Sequence, residues 1–232
     1  MRTIKKVASH IFIDGFGGMT QGLFATLIIG TMIQQIGLLI GGSTGNVIYL
    51  LGKAAAALTS AGIGVGVAVK YGESPLVTVS AAVAAMVGGY AGKITGGTFF
   101  VDGNAVLAGP GEPLGAFIAA FAGITCGHLV SGKTKVDIIV TPVITIGAGS
   151  VVGLLVGPPI SQMMTGLGSI INWATEQRPF IMGIVVSVVM GMVLTLPISS
   201  AALGIILNLS GLAAGAATIG CCCNMVGFAV RQ

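Results

Sequence analysis

Long apolar runs, separated by short polar turns, follow one another along the whole chain. Continuous apolar runs of this length are typical of membrane-spanning helices, and they lack the period-two alternation of a transmembrane β-barrel. A shorter run, residues 160–173, ends at the one tryptophan, Trp173, and predicts an interfacial or re-entrant helix. The spans are predicted over residues 18–40, 47–69, 76–92, 114–130, 138–156, 180–196 and 198–219. The pattern therefore predicts an all-α polytopic membrane protein with about seven transmembrane helices plus re-entrant or broken-helix segments.

Glycine and proline mark the ends of several runs. GGSTGN after residue 40 is predicted to break the first helix, and GPP at residues 157–159 is predicted to end the fifth. Within the fifth span Gly149, Gly153 and Gly157 recur every four residues. Such a ridge of small residues, in a chain with 39 glycines and 6% aromatic residues, predicts helices that pack at close range.

One polar segment separates the third and fourth spans: residues 93–115, KITGGTFFVDGNAVLAGPGEPLG. It carries Asp102, Asn104 and Glu112, and so holds two of the six carboxylates of the chain. Its glycines and prolines disfavour regular helix. The segment is either a re-entrant loop that forms a binding site or a solvated external hairpin, and the sequence leaves both alternatives open.

The amino-acid composition indicates a chain that lies within a lipid bilayer. Of its 232 residues 54% are hydrophobic and 7% are charged, whereas a soluble domain has about 25% charged residues. With a mean hydropathy of +1.04, the chain is predicted to be an integral membrane protein whose surrounding partner is the lipid bilayer. The net charge of +4 is small and scattered over the loops, so no nucleic-acid partner is expected.

The first residues and the loop lysines predict the orientation in the membrane. Residues 1–17 are basic and amphipathic and predict a segment on the cytoplasmic headgroups, and Asp14 interrupts any signal-like run. With one crossing per run, most basic residues fall on the N-terminal side of the membrane. They are Arg2, Lys5, Lys6, Lys70, Lys133 and Lys135, against Lys93, Arg178 and Arg231 on the other side. The bias predicts a multi-pass plasma-membrane protein with a cytoplasmic N-terminus, and it places the segments 93–115 and 158–179 on the far side.

Two helices are predicted to begin at a proline beside charged residues. Pro113 follows Glu112, and Pro179 follows Arg178, with Glu176 just before it. The free N–H groups of a first helical turn carry a partial positive charge, and two such ends meeting at depth would form a polar pocket. Transporters build solute sites from broken helices in this way.

No enzyme or cofactor motif appears in the sequence. The Gly-x-Gly pairs lie inside spans, and neither a P-loop nor a zinc-protease pair is present. Cys126 lies within a span, and Cys221–Cys223 are consecutive, so their side chains point in different directions around a helix. The cysteines are therefore predicted to be small packing residues. No metal, no cofactor and no catalytic activity of the chain by itself are expected.

Five longer strings carry a resemblance to a family. GPGEPLGAF, LVSGKTKVDIIVTP, GLLVGPPIS, INWATEQRPFIMG and LTLPISSAALGIILNLSGLAAGAATIG resemble the enzyme IIC-like permeases of the phosphotransferase system, and more narrowly the branch with the PfoR-type regulators. The resemblance covers most of the chain from Gly72 onward. It implies one membrane-embedded permease domain over residues 1–232 of a bacterial inner membrane, a homodimer that binds and translocates a sugar-like solute.

The resemblance also implies partners. In complete systems a separate IIB protein, with its IIA protein, supplies the phosphoryl group, and no such hydrophilic domain is fused here. Family members continue beyond the last residue of this chain, so a further membrane segment is expected in a complete protein. Sugar permeases of the wider superfamily carry a Gly-Ile-Thr-Glu-Pro-type motif whose glutamate contacts the sugar. Gly111-Glu112-Pro113 and Thr175-Glu176 are both partial matches to that motif.

A sugar-like solute needs acceptors and amides placed for paired hydroxyl groups. Glu112 and Glu176 are the leading candidates, because an ionisable group near membrane depth is functional by default. His128 is either a capping or interfacial group or a ligand contact, and Asn208 either bonds a neighbouring helix or contacts the ligand. The predicted substrate-binding set is Glu112, Glu176, Asp102, Asn104, His128 and Asn208.

Three functions fit these observations. The leading one is a permease of the IIC type that works by alternating access around broken-helix elements. The second is a membrane sensor or regulator of the PfoR type, which binds a similar ligand without transport. The third is a channel, which would need a continuous pore lined by glycine backbone and a few carboxylates.

Overall fold

The computed structural model describes residues 14–101, 103–107, 109–193 and 209–231. The chain divides into two compact units, Met1–Ser161 and Gln162–Gln232. The predicted N-terminal segment lies outside the described residues except for residues 14–17. The elements are α1 (Phe16–Ile40), α2 (Gly42–Ala57), α3 (Thr59–Lys70), α4 (Pro75–Gly89), α5 (Ala91–Thr95), β1 (Phe100–Val101), β2 (Asn104–Ala105), α6 (Pro113–Val130), α7 (Asp137–Gln177), α8 (Pro179–Val193) and α9 (Gly211–Arg231).

Apolar helices long enough to cross a membrane confirm the prediction of an all-α polytopic membrane protein. Within the described residues, α1, α6 and residues Asp137–Met163 of α7 meet the length and hydropathy of a span. The predicted second span is instead two helices, α2 and α3, bent by 52° at a short break. The shorter apolar helices are Pro75–Gly89, Pro179–Met192 and Gly211–Asn224.

The helix α7 corrects one boundary. GPP at residues 157–159 was expected to end the fifth span, and a separate helix was expected over residues 160–173. That expectation is wrong, because α7 runs from Asp137 to Gln177 with Pro158 and Pro159 inside it. Apolar helices tolerate internal proline where neighbouring groups and local adjustments satisfy the backbone carbonyls that the proline leaves without a donor. The predicted last span falls partly on residues 198–208, which lie outside the described residues.

In the first unit, α1 packs antiparallel against α2 and then α3 through facing glycines. A Cβ placed on Gly18 would lie 2.6 Å from the carbonyl oxygen of Gly66, and one on Gly37 would lie 2.7 Å from that of Gly45. No side chain fits at such distances, so the helix backbones touch directly. The facing pairs are Gly18 with Gly66, Gly22 with Gly62, Gly30 with Gly52, and Gly37 with Gly45.

The break between α2 and α3 lies opposite an irregular turn of α1. Residues Phe24–Ile28 of α1 form a π-helical turn, which is wider than an α-helical turn. Between the pairs Gly30–Gly52 and Gly22–Gly62, α1 advances 8 residues while its partner advances 10. The π-helical turn and the break therefore coincide with a change of register along one helical hairpin.

The predicted glycine ridge of the fifth span packs against α4 and α5, which confirms it as a packing surface. A Cβ on Gly149 would lie 2.6 Å from the Cβ of Ala84, and one on Gly157 would lie 2.7 Å from the Cβ of Ala91. A Cβ on Gly153 would lie 2.8 Å from the Cα of Gly88. Only glycine allows α7 to approach α4 this closely.

The loops that were predicted to share the cytoplasmic side meet at one end of the first unit. The Nδ1 atom of His128, in the last turn of α6, lies 3.0 Å from a carboxylate oxygen of Glu73, before α4. The hydroxyls of Ser74 and Ser131 lie 3.1 Å apart. A Cβ on Gly17 would lie 3.8 Å from the side chain of Lys70, so the start of α1 is at the same end. Which face of the membrane this end occupies stays a prediction.

The second unit is held by α8 and α9. Val186, Met190 and Ala217 form its buried core. The side-chain amide of Asn224 donates to the carbonyl of Gly191 over 2.6 Å, a polar bond between two apolar helices. The thiol of Cys221 lies 3.8 Å from the carbonyl oxygen of Met190. That contact places Cys221 in the packing of the unit, whereas Cys222 and Cys223 are exposed.

Candidate functional site

At the break between α2 and α3, backbone carbonyls lose their helical donors next to buried side chains. Leu58 leaves helical geometry with φ −86° and ψ 9°. The hydroxyl of Thr59, which is fully buried, donates to the carbonyl of Ala56 over 2.6 Å. The phenol of Tyr90 donates to the carbonyl of Ala57 over 3.2 Å. Side-chain hydroxyls therefore supply donors to two carbonyls at the break.

A second break lies at Tyr90, between α4 and α5. Tyr90 has φ −104° and ψ 10° and is only 1% exposed. Its hydroxyl also donates to the carbonyl of Gly109, so one proton is shared between Ala57 and Gly109. The same side chain thus connects the α2–α3 break, the α4–α5 break and the loop before α6.

Residues 109–112 of that loop are bound into the helix packing. The buried hydroxyl of Ser60 donates to the carbonyl of Pro110 over 2.9 Å, and the N–H of Glu112 donates to the carbonyl of Gly89 over 2.7 Å. Gly111 has φ +76°, and a Cβ there would lie 2.5 Å from the Ser60 hydroxyl. Only glycine suits that position. We call this set of contacts, made by Ser60, Gly89 and Tyr90 to residues 109–112, the clasp.

The clasp holds Glu112 at the N-terminus of α6. Glu112 is the N-cap residue, its Oε1 atom accepts from the N–H of Leu114 over 3.4 Å, and Pro113 begins the helix. Burial raises the pKa of Glu112 to about 7, and the hydrogen bond from Leu114 opposes this shift in part. The carboxyl group therefore changes between acceptor and donor near neutral pH.

The segment 93–115 shows features of both alternatives that the sequence left open. Its middle is a two-stranded hairpin in which Phe100 pairs with Ala105 and Val101 pairs with Asn104. Residues 103–107 are exposed, whereas residues 109–112 belong to the clasp. An exposed hairpin is therefore followed by a loop that packs among helices.

The predicted site residues do not all gather at the clasp. Asn104 lies in the exposed hairpin. His128 is at the opposite end of α6 from Glu112, about 24 Å along the helix, so no single small solute contacts both. Asp102 and Asn208 lie outside the described residues. Glu176 is exposed near the end of α7, in the second unit, and its predicted approach to Glu112 stays a prediction.

Sequence reasoning did not find Ser60, Tyr90 and Thr59. The run 47–69 looked like one uninterrupted span, because no proline or polar turn marks the break at Leu58. The available signal was a pair of adjacent hydroxyl residues, Thr59 and Ser60, in the middle of an apolar run. Such side chains can satisfy carbonyls at an interruption of a helix.

The described residues contain no group of three or more His, Cys, Asp or Glu side chains that could hold a metal ion. The clasp itself consists of hydroxyl groups, backbone amides and carbonyls, and the carboxyl group of Glu112.

Comparison with known proteins gives one match that covers nearly the whole chain. The family model described as "Phosphotransferase system, EIIC" matches residues 13–232, which extend over both units. Comparisons with curated proteins and with solved structures found no match. The match begins well before Gly72, where the resemblance of the individual strings began.

Proposed function

Because the chain belongs to the phosphotransferase system EIIC family, we propose that this permease component binds a sugar-like solute at Glu112 and carries it across the membrane. The observation that carries the proposal is the clasp, which places a half-buried carboxyl group where two broken helices and the N-terminus of α6 meet. Binding sites of transporters are formed by such discontinuous helices near the middle of the bilayer.

The depth of the clasp supports a site inside the membrane. Ser60 lies about 15 Å along α3 from Lys70, which is at the end where the loops meet. Glu112 lies about 24 Å along α6 from His128, which is at the same end. In a hydrocarbon core about 30 Å thick, the clasp would therefore extend from the middle of the core towards its far boundary. Burying an ionisable group at such a depth costs free energy, so a group found there is expected to have a function.

The chemistry at Glu112 suits the hydroxyl groups of a sugar. A carboxylate accepts two hydrogen bonds from neighbouring hydroxyls, and a protonated carboxyl group can also donate one. In a cavity with little water, each unmade hydrogen bond is costly, and this cost gives selectivity for the solute that makes them all. The partners that follow are a IIB protein, with its IIA protein, as phosphoryl donor, and a second copy of the chain in a homodimer. The location is the bacterial inner membrane, with the N-terminus in the cytoplasm.

Counterflow in proteoliposomes tests the proposal without a phosphoryl donor. Vesicles that contain the full chain are preloaded with one sugar or polyol of a panel, and entry of the same labelled solute is followed. Loss of the charged acceptor in Glu112→Gln is expected to weaken the interaction by about 1.5–3 kcal/mol, or roughly 10- to 150-fold in apparent affinity. The matched control is Glu73→Gln, since Glu73 pairs with His128 at the other end of α6.

Each outcome of this experiment has a clear meaning. Unchanged counterflow in Glu112→Gln would remove Glu112 from the site. A loss in Glu176→Gln as large as that in Glu112→Gln would support the predicted two-carboxylate pocket, and no loss there would leave a site with one carboxylate. Saturable binding without counterflow would favour a PfoR-type sensor, and unitary conductance in a planar bilayer would favour a channel.

A further inference from the structure

An open, mostly apolar cavity lies in the second unit, where α7 ends and α8 begins. Its volume is about 430 Å³, which is within the range of small-ligand sites. Arg178 separates the last residue of α7 from Pro179, the first residue of α8. The cavity is lined by Trp173, Ala174, Gln177, Arg178, Ile181 and Met182.

The lining combines the positive charge of Arg178 with the amphipathic side chain of Trp173. Arg178 is exposed, and within the described residues no carboxylate lies at ion-pair distance from its guanidinium group. Trp173 is 64% exposed, and Gln177 is exposed beside it. Glu176 is exposed on the same turn but does not line the cavity. A planar guanidinium group binds phosphate through two parallel hydrogen bonds.

Exposed apolar side chains surround the cavity, as they do on a lipid-facing surface. Phe180 is 81% exposed and Ile184 is 51% exposed on α8, and Ile170 is 64% exposed on α7. In a membrane protein such apolar side chains contact acyl chains. Tryptophan is enriched where such a surface meets the lipid headgroups, and Trp173 lines the cavity together with Gln177 and Arg178.

We propose that this cavity binds the phosphate-bearing headgroup of an anionic phospholipid. Arg178 binds the phosphate oxygens, Gln177 donates to the same headgroup, and the ring of Trp173 packs against the glycerol region. The apolar flanks hold the acyl chains, and this feature favours a lipid over a free anion or a soluble sugar. The site is independent of the clasp and of the function proposed for it.

The single tryptophan of the chain reports directly on this cavity. The full chain is placed in nanodiscs, and quenching of its fluorescence by brominated phosphatidylglycerol is compared with quenching by brominated phosphatidylcholine. One basic residue at an anionic surface corresponds to about a fivefold preference for the anionic lipid. This preference is expected to fall to about one in Arg178→Gln and to be partly kept in Arg178→Lys. The matched control, Lys135→Gln, removes an exposed charge in the first unit and is expected to keep it.

Further arms separate the lipid from other ligands. Inorganic phosphate added to the buffer is expected to leave the quenching unchanged, and competition by phosphate would make the site one for a free anion. A saturable change of Trp173 emission with a sugar of the panel, without lipid preference, would overturn the proposal in favour of a solute site. Equal quenching by the two lipids in the native chain would also overturn it.

Discussion

Removing one hydroxyl tests whether the clasp holds the site together. Tyr90→Phe keeps the ring but deletes the proton that Ala57 and Gly109 share. The ring contacts remain, since its centroid is 5.4 Å from that of Phe99. Tyr90 is 1% exposed, so water cannot replace the donor without rearrangement. The partly buried carbonyl of Ala57 and the carbonyl of the more exposed Gly109 lose this donor, at a cost of about 1–3 kcal/mol.

Two readouts are expected to change together in Tyr90→Phe. In a chain of this size, 1 kcal/mol corresponds to about 2–4 °C in Tm, so thermal unfolding in detergent is expected about 3–10 °C lower. Solute affinity in the counterflow assay is expected to fall as well, because the loop that carries Glu112 loses one of its attachments. The matched control is Tyr49→Phe, since the structure gives the hydroxyl of Tyr49 no hydrogen bond to a described residue.

A double-mutant cycle sharpens this test. Ser60→Ala removes the donor to Pro110, which is the next carbonyl of the same loop after Gly109. Because both hydroxyls hold one short segment, the effects of Tyr90→Phe and Ser60→Ala on affinity are expected to be non-additive, with a coupling of about 0.5–3 kcal/mol. Additive effects, or a Tyr90→Phe variant with native Tm and native affinity, would refute the role of the clasp.

Two further predictions follow from Glu112 and from the glycine contacts. Burial raises the pKa of Glu112 from 4.5 to about 7, so the folded state binds the proton of this carboxyl group more tightly than the unfolded state does. The contribution of Glu112 to the free energy of unfolding is therefore expected to be greatest below pH 4.5 and to be lost as the pH rises through 7. The difference in Tm between the native chain and Glu112→Gln, measured from pH 4.5 to 8.5, reports this term, and a pH-independent difference would contradict it. Gly22→Ala is expected to destabilise the α1–α3 contact, where its Cβ would overlap Gly62, by about 1–3 kcal/mol. Gly147→Ala, whose Cβ meets open space, is the control for Tm, and equal effects of the two would count against backbone contact as the basis of packing.

The sequence was sufficient for the class of fold and for much of the path of the chain. Apolar run length and charge depletion require a membrane helix wherever they occur, because the backbone must satisfy its own hydrogen bonds in lipid. The boundaries of α6 were predicted closely, since Glu112 and Pro113 supply the cap and the first turn. The same local chemistry indicated Glu112 as a candidate site residue.

Other elements were decided by contacts between distant parts of the chain. No proline or polar turn marks the break at Leu58, and the carbonyl of Ala57 at this break accepts from Tyr90, 33 residues away. The continuation of α7 through Pro158 and Pro159 likewise overrides a strong local signal. A run of apolar residues specifies a helix, but it does not specify where neighbouring helices make an interruption tolerable.

The division between the two sources of information has a physical reason. Hydrophobicity, capping and proline geometry act over a few residues, so the sequence alone determined that the chain enters the membrane and where several helices begin. The clasp depends on Ser60 meeting Pro110 across 50 residues of chain and on glycine pairs that set how closely α1 and α3 approach. Only the tertiary structure decides such contacts, because a buried hydroxyl finds its carbonyl partner only after the helices have packed.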